Sequence, residues 1–446
     1  MLFRLRRIYG NLEGSLWFIP SLVMASLMLL AFLMVWLDRT LGYANLKDLT
    51  FFFSAGPQGT RDMLTTIAGS MLAVASVAFS FTIVVFSYAS SQYSSRTIHN
   101  FMDDRTNQAV LGTLLGSFVY CLLILRTVRL EDTNTFVPVL AASVALVLAI
   151  LDLGLFILFI HHVSEAIQAY HIISRIGRAT SSSIDSFFPR RFGTSAGITK
   201  EEAEKFMVDL ASREVNASGN GYLQAIDTTY MLSLAQRYDL TIIQCKGVGQ
   251  FVTDDDVLAL MGPTEKITDH IRKQILECFF LGEYRSILQD PAYGILLLSD
   301  IMIKALSPGI NDPNTALMGL NEINRVLKQL ARKELHRHIL NDKQGKPRVL
   351  VEWPSFEQLT AQAFDQVRRY GMADAAIPAK MLEVISDLGE VLEVQAEREV
   401  LFEHVRAIAT DADQAIKNPR DRALINAMLI PAMQTLQVNG KDIRLL

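Results

Sequence analysis

The group in this sequence with the clearest chemical potential is a carboxylate inside an apolar segment. Asp152 follows residues 149–151, Ala-Ile-Leu, near the middle of a hydrophobic run that extends from about Val137 to His162. A carboxylate at the centre of a bilayer costs about 2.5–3.5 kcal/mol, so it has to face protein or water. Asp152 therefore predicts either an ion or proton site within a membrane or a polar tie between helices.

Small residues form a second pattern in an earlier apolar segment. They recur at spacings that keep them on one face of a helix: Gly69, Ala73, Ser76, Ser80, Ser87 and Ser91. Small residues let helix backbones approach closely, and serines can hydrogen-bond across the contact, so one interpretation is a tight helix–helix seam. The other is a hydroxyl-lined conduction path in an oligomer, with the four serines and Asp152 as its candidate residues. The hydroxyls of this segment are the expected neighbours of Asp152.

A third group of polar residues lies in the second half of the chain. It comprises Glu283, Arg285, Asp290, Asn311 and Asp312. Two helix N-termini near an arginine would favour an anion, so these residues are candidates for a polar pocket. Asp followed by Pro is also typical of a capped helix start. The competing interpretation is therefore a capped helix–turn–helix held by an Arg–Asp pair.

Other residue types narrow the function classes. The cysteines Cys121, Cys245 and Cys278 have no CxxC spacing, which favours a reducing compartment and argues against disulfides or a zinc site. A net charge of -4 gives no basic field for nucleic acid. The glycines form neither GxGxxG nor GxxxxGK[ST], and no catalytic motif stands out. We expect no metal, no cofactor and no nucleic-acid partner.

Four apolar segments are the elements that would position Asp152 and the four serines within a membrane. They cover about residues 15–37, 63–90, 108–125 and 137–162, and each is long enough to cross a bilayer. The second is over-long, because no charged residue occurs from Met63 to Ser95, which is about 50 Å of helix. The sequence thus predicts an α-helical membrane protein with four transmembrane helices in residues 1–165.

Basic residues predict the orientation of these segments. Nine Lys or Arg residues lie in the segments on the side of the membrane that would hold the N-terminus and the C-terminal region. Five lie in the segments on the opposite side. By the positive-inside rule, both termini are expected in the cytoplasm of a bacterial inner (plasma) membrane.

The rest of the chain is expected to form a mostly α, α+β cytoplasmic domain. Residues 166–212 are predicted as a connector with a helix at about Lys200–Ser212, 213–263 as a small β-rich subdomain, and 264–446 as a helical region. The helix of the fourth span is expected to continue over Ser164–Arg178. The strands are predicted at about Gly221–Ile226, Leu240–Lys246, Gln250–Val252, Val257–Met261 and Arg348–Trp353. The helices are predicted at about Thr228–Arg237, Glu265–Leu281, Pro291–Leu306, Pro313–Leu335, Phe356–Tyr370, Pro378–Ile416 and Pro419–Leu436.

Four stretches of sequence carry a family resemblance. They cover residues 89–96 (ASSQYSSR), 221–227 (GYLQAID), 289–291 (QDP) and 305–316 (ALSPGINDPNTA). Together they resemble the bacterial predicted membrane-protein family called domain of unknown function 2254. This chain departs from the family pattern at Ser95, where proline is usual, and at Asn314, where an aromatic residue is common. The resemblance implies membrane helices at the N-terminus and a cytoplasmic C-terminal domain, and it implies no established activity.

Three functions remain open from the sequence. The first is an oligomeric ion channel or transporter-like protein with a cytoplasmic assembly or regulatory domain, in which four spans per copy require a homo-oligomer around the path. The second is a non-transporting membrane scaffold or sensor whose cytoplasmic domain binds a partner or ligand of unknown identity. The third, a membrane-bound enzyme, would need shifted acids around Glu283, Asp290 and Asp312.

Overall fold

The computed structural model describes residues 17–41, 56–93, 105–129, 136–188, 213–333, 335, 338–437 and 444–446. The chain divides into two compact units, Met1–Gln168 and Ala169–Leu446, here called the membrane unit and the C-terminal unit. The predicted helix at Lys200–Ser212 lies outside the described residues.

The membrane unit contains four long apolar helices. They are α1 (Phe18–Leu41), α2 (Pro57–Gln92), α3 (Arg105–Leu125) and α4 (Val139–Ala166). Each is long and apolar enough to cross a membrane, which confirms the predicted set of spans. Helix α2 has 36 residues, or about 54 Å, against a hydrocarbon core of about 30 Å. Helix α3 packs against α1, α2 and α4, and it is the most buried of the four helices.

Two glycines allow α1 and α3 to approach closely. A Cβ atom at Gly112 would lie 2.7 Å from the Cα of Pro20, and one at Gly116 would lie 2.6 Å from the Cδ1 of Leu27. Both distances are shorter than a carbon–carbon contact allows, so a side chain at either position would push the helices apart. The GxxxG spacing of this pair is a recurrent device for helix packing in membranes.

A carboxylate at the end of α1 caps the start of α4. Asp38 is buried, and its Oδ1 and Oδ2 accept hydrogen bonds from the backbone N–H groups of Leu140 (2.9 Å) and Ala141 (3.0 Å). The hydroxyl of Tyr120, on α3, donates to the carbonyl of Ala141 at 3.0 Å. Helices α1, α3 and α4 are therefore held together at this end, and Asp38 pairs two N–H groups in the first turn of α4 that have no partner within the helix.

The C-terminal unit contains two small sheets. Their strands are β1 (Arg213–Asn216), β2 (Gly221–Ile226), β3 (Thr241–Gln244), β4 (Phe251–Val252), β5 (Val257–Gly262), β6 (Phe279–Gly282), β7 (His338–Asn341) and β8 (Pro347–Val351). The five-stranded sheet has the order β1-β5-β3-β8-β7, and the three-stranded sheet has the order β4-β2-β6. Among the described strand pairs, β3–β8 alone is parallel, with Ile242 opposite Val349. The sheets thus draw strands from residues 213–262, 279–282 and 338–351.

Helices make up the larger part of the C-terminal unit. They are α5 (Ala169–Phe187), α6 (Thr228–Tyr238), α7 (Asp269–Leu276), α8 (Pro291–Ala305), α9 (Pro313–Leu330), α10 (Phe356–Gly371), α11 (Ala376–Gly389), α12 (Gln395–Ala415) and α13 (Pro419–Leu436). Helix α8 packs against α5, α9 and α10, while α11 packs against α9, α12 and α13. Buried Ile, Leu and Val side chains fill these contacts, as the helical spacing of apolar residues predicts.

Four of the predicted helices are wrong in extent, and the smallest difference is at Pro313–Leu335, where α9 ends at Leu330. The segment Glu265–Leu281 holds the short helix α7 and then strand β6, which pairs with β2. The segment Pro378–Ile416 is two helices, because α11 ends at Gly389 and α12 begins at Gln395. The fourth span does not continue to Arg178, since α4 ends at Ala166 and α5 begins at Ala169. Strands β1 and β7 were not predicted.

Candidate functional site

Asp152 lies on the inward face of α4. It belongs to the buried stripe that also contains Ala145, Phe159, Val163 and Ala166, and its exposed fraction is 0%. It is 13 residues beyond the start of the helix at Val139, which places it about 20 Å along a helix of about 42 Å. The side chain is therefore enclosed by protein at mid-helix and has no contact with solvent or lipid.

Among the residues that the structure describes, no counter-charge accompanies this carboxylate. Ser117, on α3, is the polar side chain that lies close to it, and its exposed fraction is also 0%. Within the described part of the chain, neither Asp152 oxygen nor the Ser117 hydroxyl has a hydrogen-bond partner within 3.5 Å. A buried ionised group without a partner is costly, so the carboxylate requires a bound proton or cation to be stable there.

The small-residue stripe of α2 faces away from the protomer interior. Gly69, Ala73 and the serines Ser76, Ser80, Ser87 and Ser91 are all exposed. The buried stripe of the same helix includes Leu64, Met71, Ala75, Ala78 and Val85, and it packs against α3 and α4. At 100° per residue the two stripes lie roughly 170° apart around the helix. The stripe makes no seam within the described protomer, and its serines are not the neighbours of Asp152.

Hydroxyl groups on this stripe are bonded to their own helix. The Ser76 hydroxyl donates to the carbonyl of Leu72 at 2.8 Å, Ser80 donates to Ser76 at 2.9 Å, and Ser91 donates to Tyr88 at 2.9 Å. Such bonds satisfy a hydroxyl without a second helix. The stripe is therefore compatible with close packing of another helix and does not require a polar partner.

In the C-terminal unit, Arg285 and Asp290 form a buried ion pair. The Asp290 Oδ2 accepts from Arg285 Nε at 2.9 Å and from Nη2 at 2.7 Å, while Oδ1 accepts from the N–H of Tyr293 at 3.0 Å. Asp290 is 2% exposed, and burial raises the pKa of this carboxyl while Arg285 opposes the rise. The Arg285 guanidinium also lies over the Tyr293 ring, 5.0 Å from its centroid. Asp290 is thus a helix cap held by an arginine.

A glycine closes this ion pair from the other side. Gly249 has φ +89°, and a Cβ atom there would lie 2.2 Å from the Asp290 Oδ2 and 2.8 Å from the Arg285 Nη2. A left-handed conformation and this close approach both favour glycine. The turn therefore leaves no space for an anion between Gly249 and the pair.

The other pocket candidates lie elsewhere. Asp312 caps α9 by accepting from the N–H of Thr315 at 3.2 Å, and its own N–H donates to the carbonyl of Ala305. Because α8 runs 15 residues from the Asp290 cap to Ala305, the two caps lie at opposite ends of a helix of about 22 Å. Asn311 (φ +50°) and Glu283 are exposed. The structure does not bring these five residues into one pocket.

Two of the quoted sequence stretches are joined by a side chain. The Gln289 amide accepts from the N–H of Ile226 at 2.9 Å and donates to its carbonyl at 3.4 Å. The Gln224 amide donates to the carbonyl of Tyr284 at 2.6 Å. Residues 221–227 and 289–291 therefore form one internally bonded structural core around β2 and the start of α8.

Sequence reasoning missed Ser117, Asp38 and the Gly112–Gly116 pair. The glycine pair had a detectable signal, because GxxxG within an apolar segment indicates a helix-packing face. Ser117 had none, since one serine in an apolar helix carries no information about its neighbours. No three His, Cys, Asp or Glu side chains come together as a metal site among the residues that the structure describes.

Comparison with known proteins decides the family. The model of the predicted membrane-protein family DUF2254 matches residues 13–387. This chain belongs to that family. Two similar relatives are uncharacterised proteins of Mycobacterium bovis and Mycobacterium tuberculosis, each 25% identical over 450 residues, which is 99% of this chain and 84% of the relative. No solved structure matches this chain.

DUF2254 membership agrees with the resemblance found in the sequence stretches. The match includes all four apolar helices and most of the C-terminal unit, through Asp387 in α11. The protein is thus an α-helical membrane protein of an uncharacterised family. Of the two departures from the family pattern, Ser95 lies outside the described residues, and Asn314 is exposed near the start of α9.

Proposed function

We propose that this DUF2254 protein is an oligomeric ion channel or transporter-like protein, with Asp152 as the ion site in each protomer. The observation that carries the proposal is a wholly buried, unpartnered carboxylate halfway along an apolar helix. A group that costs this much within a membrane is expected where its charge is used. Its setting between α3 and α4 keeps it away from lipid.

Oligomerisation is the second part of the proposal. Four helices are too few to enclose a wide path, so several copies would surround it. The exposed small-residue stripe of α2 offers a second copy a surface for close helix packing. Oxidative cross-linking of Ser76→Cys protomers should exceed that of Ile150→Cys, which is on the exposed face of α4. Equal cross-linking would argue against this interface.

Orientation and location complete the proposal. The protein resides in the bilayer of a bacterial inner membrane, with its N-terminus and C-terminal unit in the cytoplasm, as the distribution of Lys and Arg favours. The C-terminal unit then serves assembly or regulation. Its buried ion pair and capped helices are typical of a structural core and support this role over catalysis.

Flux through reconstituted protein tests the ion site. Proteoliposomes with an imposed membrane potential should show movement of protons or small cations, and Asp152→Asn should reduce it at least tenfold. Asp38→Asn is the matched control, because Asp38 is also a buried carboxylate of the membrane unit but is bonded to α4. Equal flux in wild type and Asp152→Asn would overturn the proposal, as would a protein that moves no ion.

A non-transporting scaffold or sensor is the second candidate function. The observation that favours it is the packing of α2 along α3 and α4 within one protomer, with the stripe hydroxyls bonded to their own helix. This function predicts that Asp152→Asn is silent in cells, while changes in the turn at Ser307–Thr315 abolish activity. A complementation assay of both variants in a deletion strain separates the two functions.

A further inference from the structure

The oxygen atoms around Asp152 limit which ion can bind there. The carboxylate supplies two, and the Ser117 hydroxyl supplies a third. Helices α3 and α4 are continuous over Arg105–Leu125 and Val139–Ala166, so their carbonyls near the site are engaged in helical hydrogen bonds. Metal cations that bind oxygen ligands take about six of them, which is about twice the number that Asp152 and Ser117 provide.

A proton has no such requirement. A serine hydroxyl can donate to an ionised carboxylate and can accept from a protonated one. Ser117 can therefore serve both protonation states of Asp152, although it offers no counter-charge to the ionised state. Protonation forms one O–H bond on the carboxylate and releases a water from the hydronium ion that delivers the proton, with no change in oxidation state.

Other charged or titratable groups are distant from the site or uncharged. On helix α3, the buried thiol of Cys121 lies within electrostatic range of Asp152. Tyr120 of the same helix lies near Asp38. Helix α2 has no charged residue from Met63 to Gln92, and α1 has none before Asp38, which caps α4. On α4 itself, the other titratable groups, His161, His162 and Glu165, follow at least nine residues later, about 14 Å along the helix.

We infer that the ion held at Asp152 is a proton and not a metal cation. The inference rests on the proposed function for its role in transport, and it specifies the ligand of that site. A resting protomer then carries Asp152 as a neutral carboxylic acid beside Ser117. Release of this proton leaves an uncompensated charge at mid-helix. This charge destabilises the packing around α4 and favours a change in that packing.

Infrared spectroscopy of the full chain in lipid nanodiscs tests this inference. A pH titration should show one protonated-carboxyl band that is absent from Asp152→Asn and retained, at a shifted frequency, in Asp152→Glu. Ser117→Ala should move its midpoint, because it removes the polar neighbour of the carboxyl. Thr113→Val is the matched control on α3, since the Thr113 hydroxyl bonds to the carbonyl of Ala109.

The same titration is repeated in sodium, potassium, magnesium and choline salts. We expect one midpoint in all four. A shift of about one pH unit, a tenfold change in apparent proton affinity, with any metal cation would overturn the inference. The absence of an Asp152-dependent band at every pH would also overturn it. A cation-independent midpoint in protein that moves no ion would support proton binding and refute the proposed transport, so the two failures are distinguishable.

Discussion

Two buried carboxylates of this protein have opposite surroundings. Asp290 in the C-terminal unit is 2% exposed, and it is paired with Arg285 and bonded to the N–H of Tyr293. Asp152 in the membrane unit is 0% exposed, and within the described chain its oxygens have no hydrogen-bond partner within 3.5 Å, with the Ser117 hydroxyl as the nearby polar group. Both aspartates are candidate site residues by their sequence context. Only one of them remains without a structural explanation.

The difference shows that burial of an acid does not by itself indicate function. Asp290 stabilises a helix start and an ion pair, so its residue type is explained by the fold. Asp152 satisfies no backbone group and neutralises no charge in the described parts of the chain, so the fold would be at least as stable with an uncharged residue there. The missing partner, more than the buried position, is what supports a functional role for Asp152.

Removal of Arg285 should have the largest effect on stability. Arg285→Ala leaves Asp290 buried without its counter-charge, and breaking such a pair costs about 3–5 kcal/mol. The midpoint of thermal unfolding of the C-terminal unit should fall accordingly. The control is Arg406→Ala, which breaks an exposed pair with Glu403 worth at most about 1 kcal/mol. Equal losses in the two variants would show that Asp290 is no better paired than a surface acid.

Small residues in the membrane unit permit a similar contrast. Gly112→Leu should destabilise the packing of α1 against α3 by about 1–3 kcal/mol, because no space exists beside Pro20. Ser76→Leu, on the exposed stripe of α2, should leave the stability of a single protomer unchanged and weaken self-association. Unfolding in detergent and the mass of the detergent complex measure the two effects. A tolerated Gly112→Leu would contradict the close α1–α3 contact.

A surface acid provides the smallest expected effect. Hydrogen bonds from Lys266, Lys346 and Arg348 hold the pKa of Asp239 well below its ordinary value of 3.8. The unfolded chain therefore binds this proton more readily, so the contribution of Asp239 is complete above that ordinary pKa and is lost as the pH falls through the lower folded value.

Asp239→Asn should reduce the acid sensitivity of thermal unfolding, while Asn still tolerates the left-handed backbone (φ +49°) at this position. Asp254→Asn, at another exposed aspartate, is the control. Unchanged acid sensitivity in Asp239→Asn would show that this cluster does not stabilise the fold.

The sequence predicts the membrane unit better than the C-terminal unit. Long apolar runs give α1 to α4 directly, and Asp-Pro pairs give the starts of α8 and α9. The break between α11 and α12 was missed, although Gly389 marks the end of α11. Strand β6 at Phe279–Gly282 was assigned to a helix, because an apolar run of four residues does not distinguish the two. Its pairing with β2 is a long-range contact that no local pattern contains.

For the candidate site, the positions of the residues along their helices can be predicted from the sequence, but the side chains that surround them cannot. It places Asp152 at mid-span and the serines on one face of α2. It does not show that this face is exposed, or that Ser117 is the polar neighbour of Asp152, because both depend on how the helices pack. The predicted neighbours of Asp152, the α2 serines, were therefore wrong.

A paired measurement of stability and proton flux tests the central claim most directly. Asp152→Asn and Asp290→Asn are purified as full chains, unfolded in detergent and reconstituted into liposomes. We predict that Asp152→Asn is at least as stable as wild type and loses proton flux, while Asp290→Asn loses stability and its folded fraction retains flux. A destabilised Asp152→Asn with full proton flux would contradict the claim, because Asp152 would then be a structural residue like Asp290.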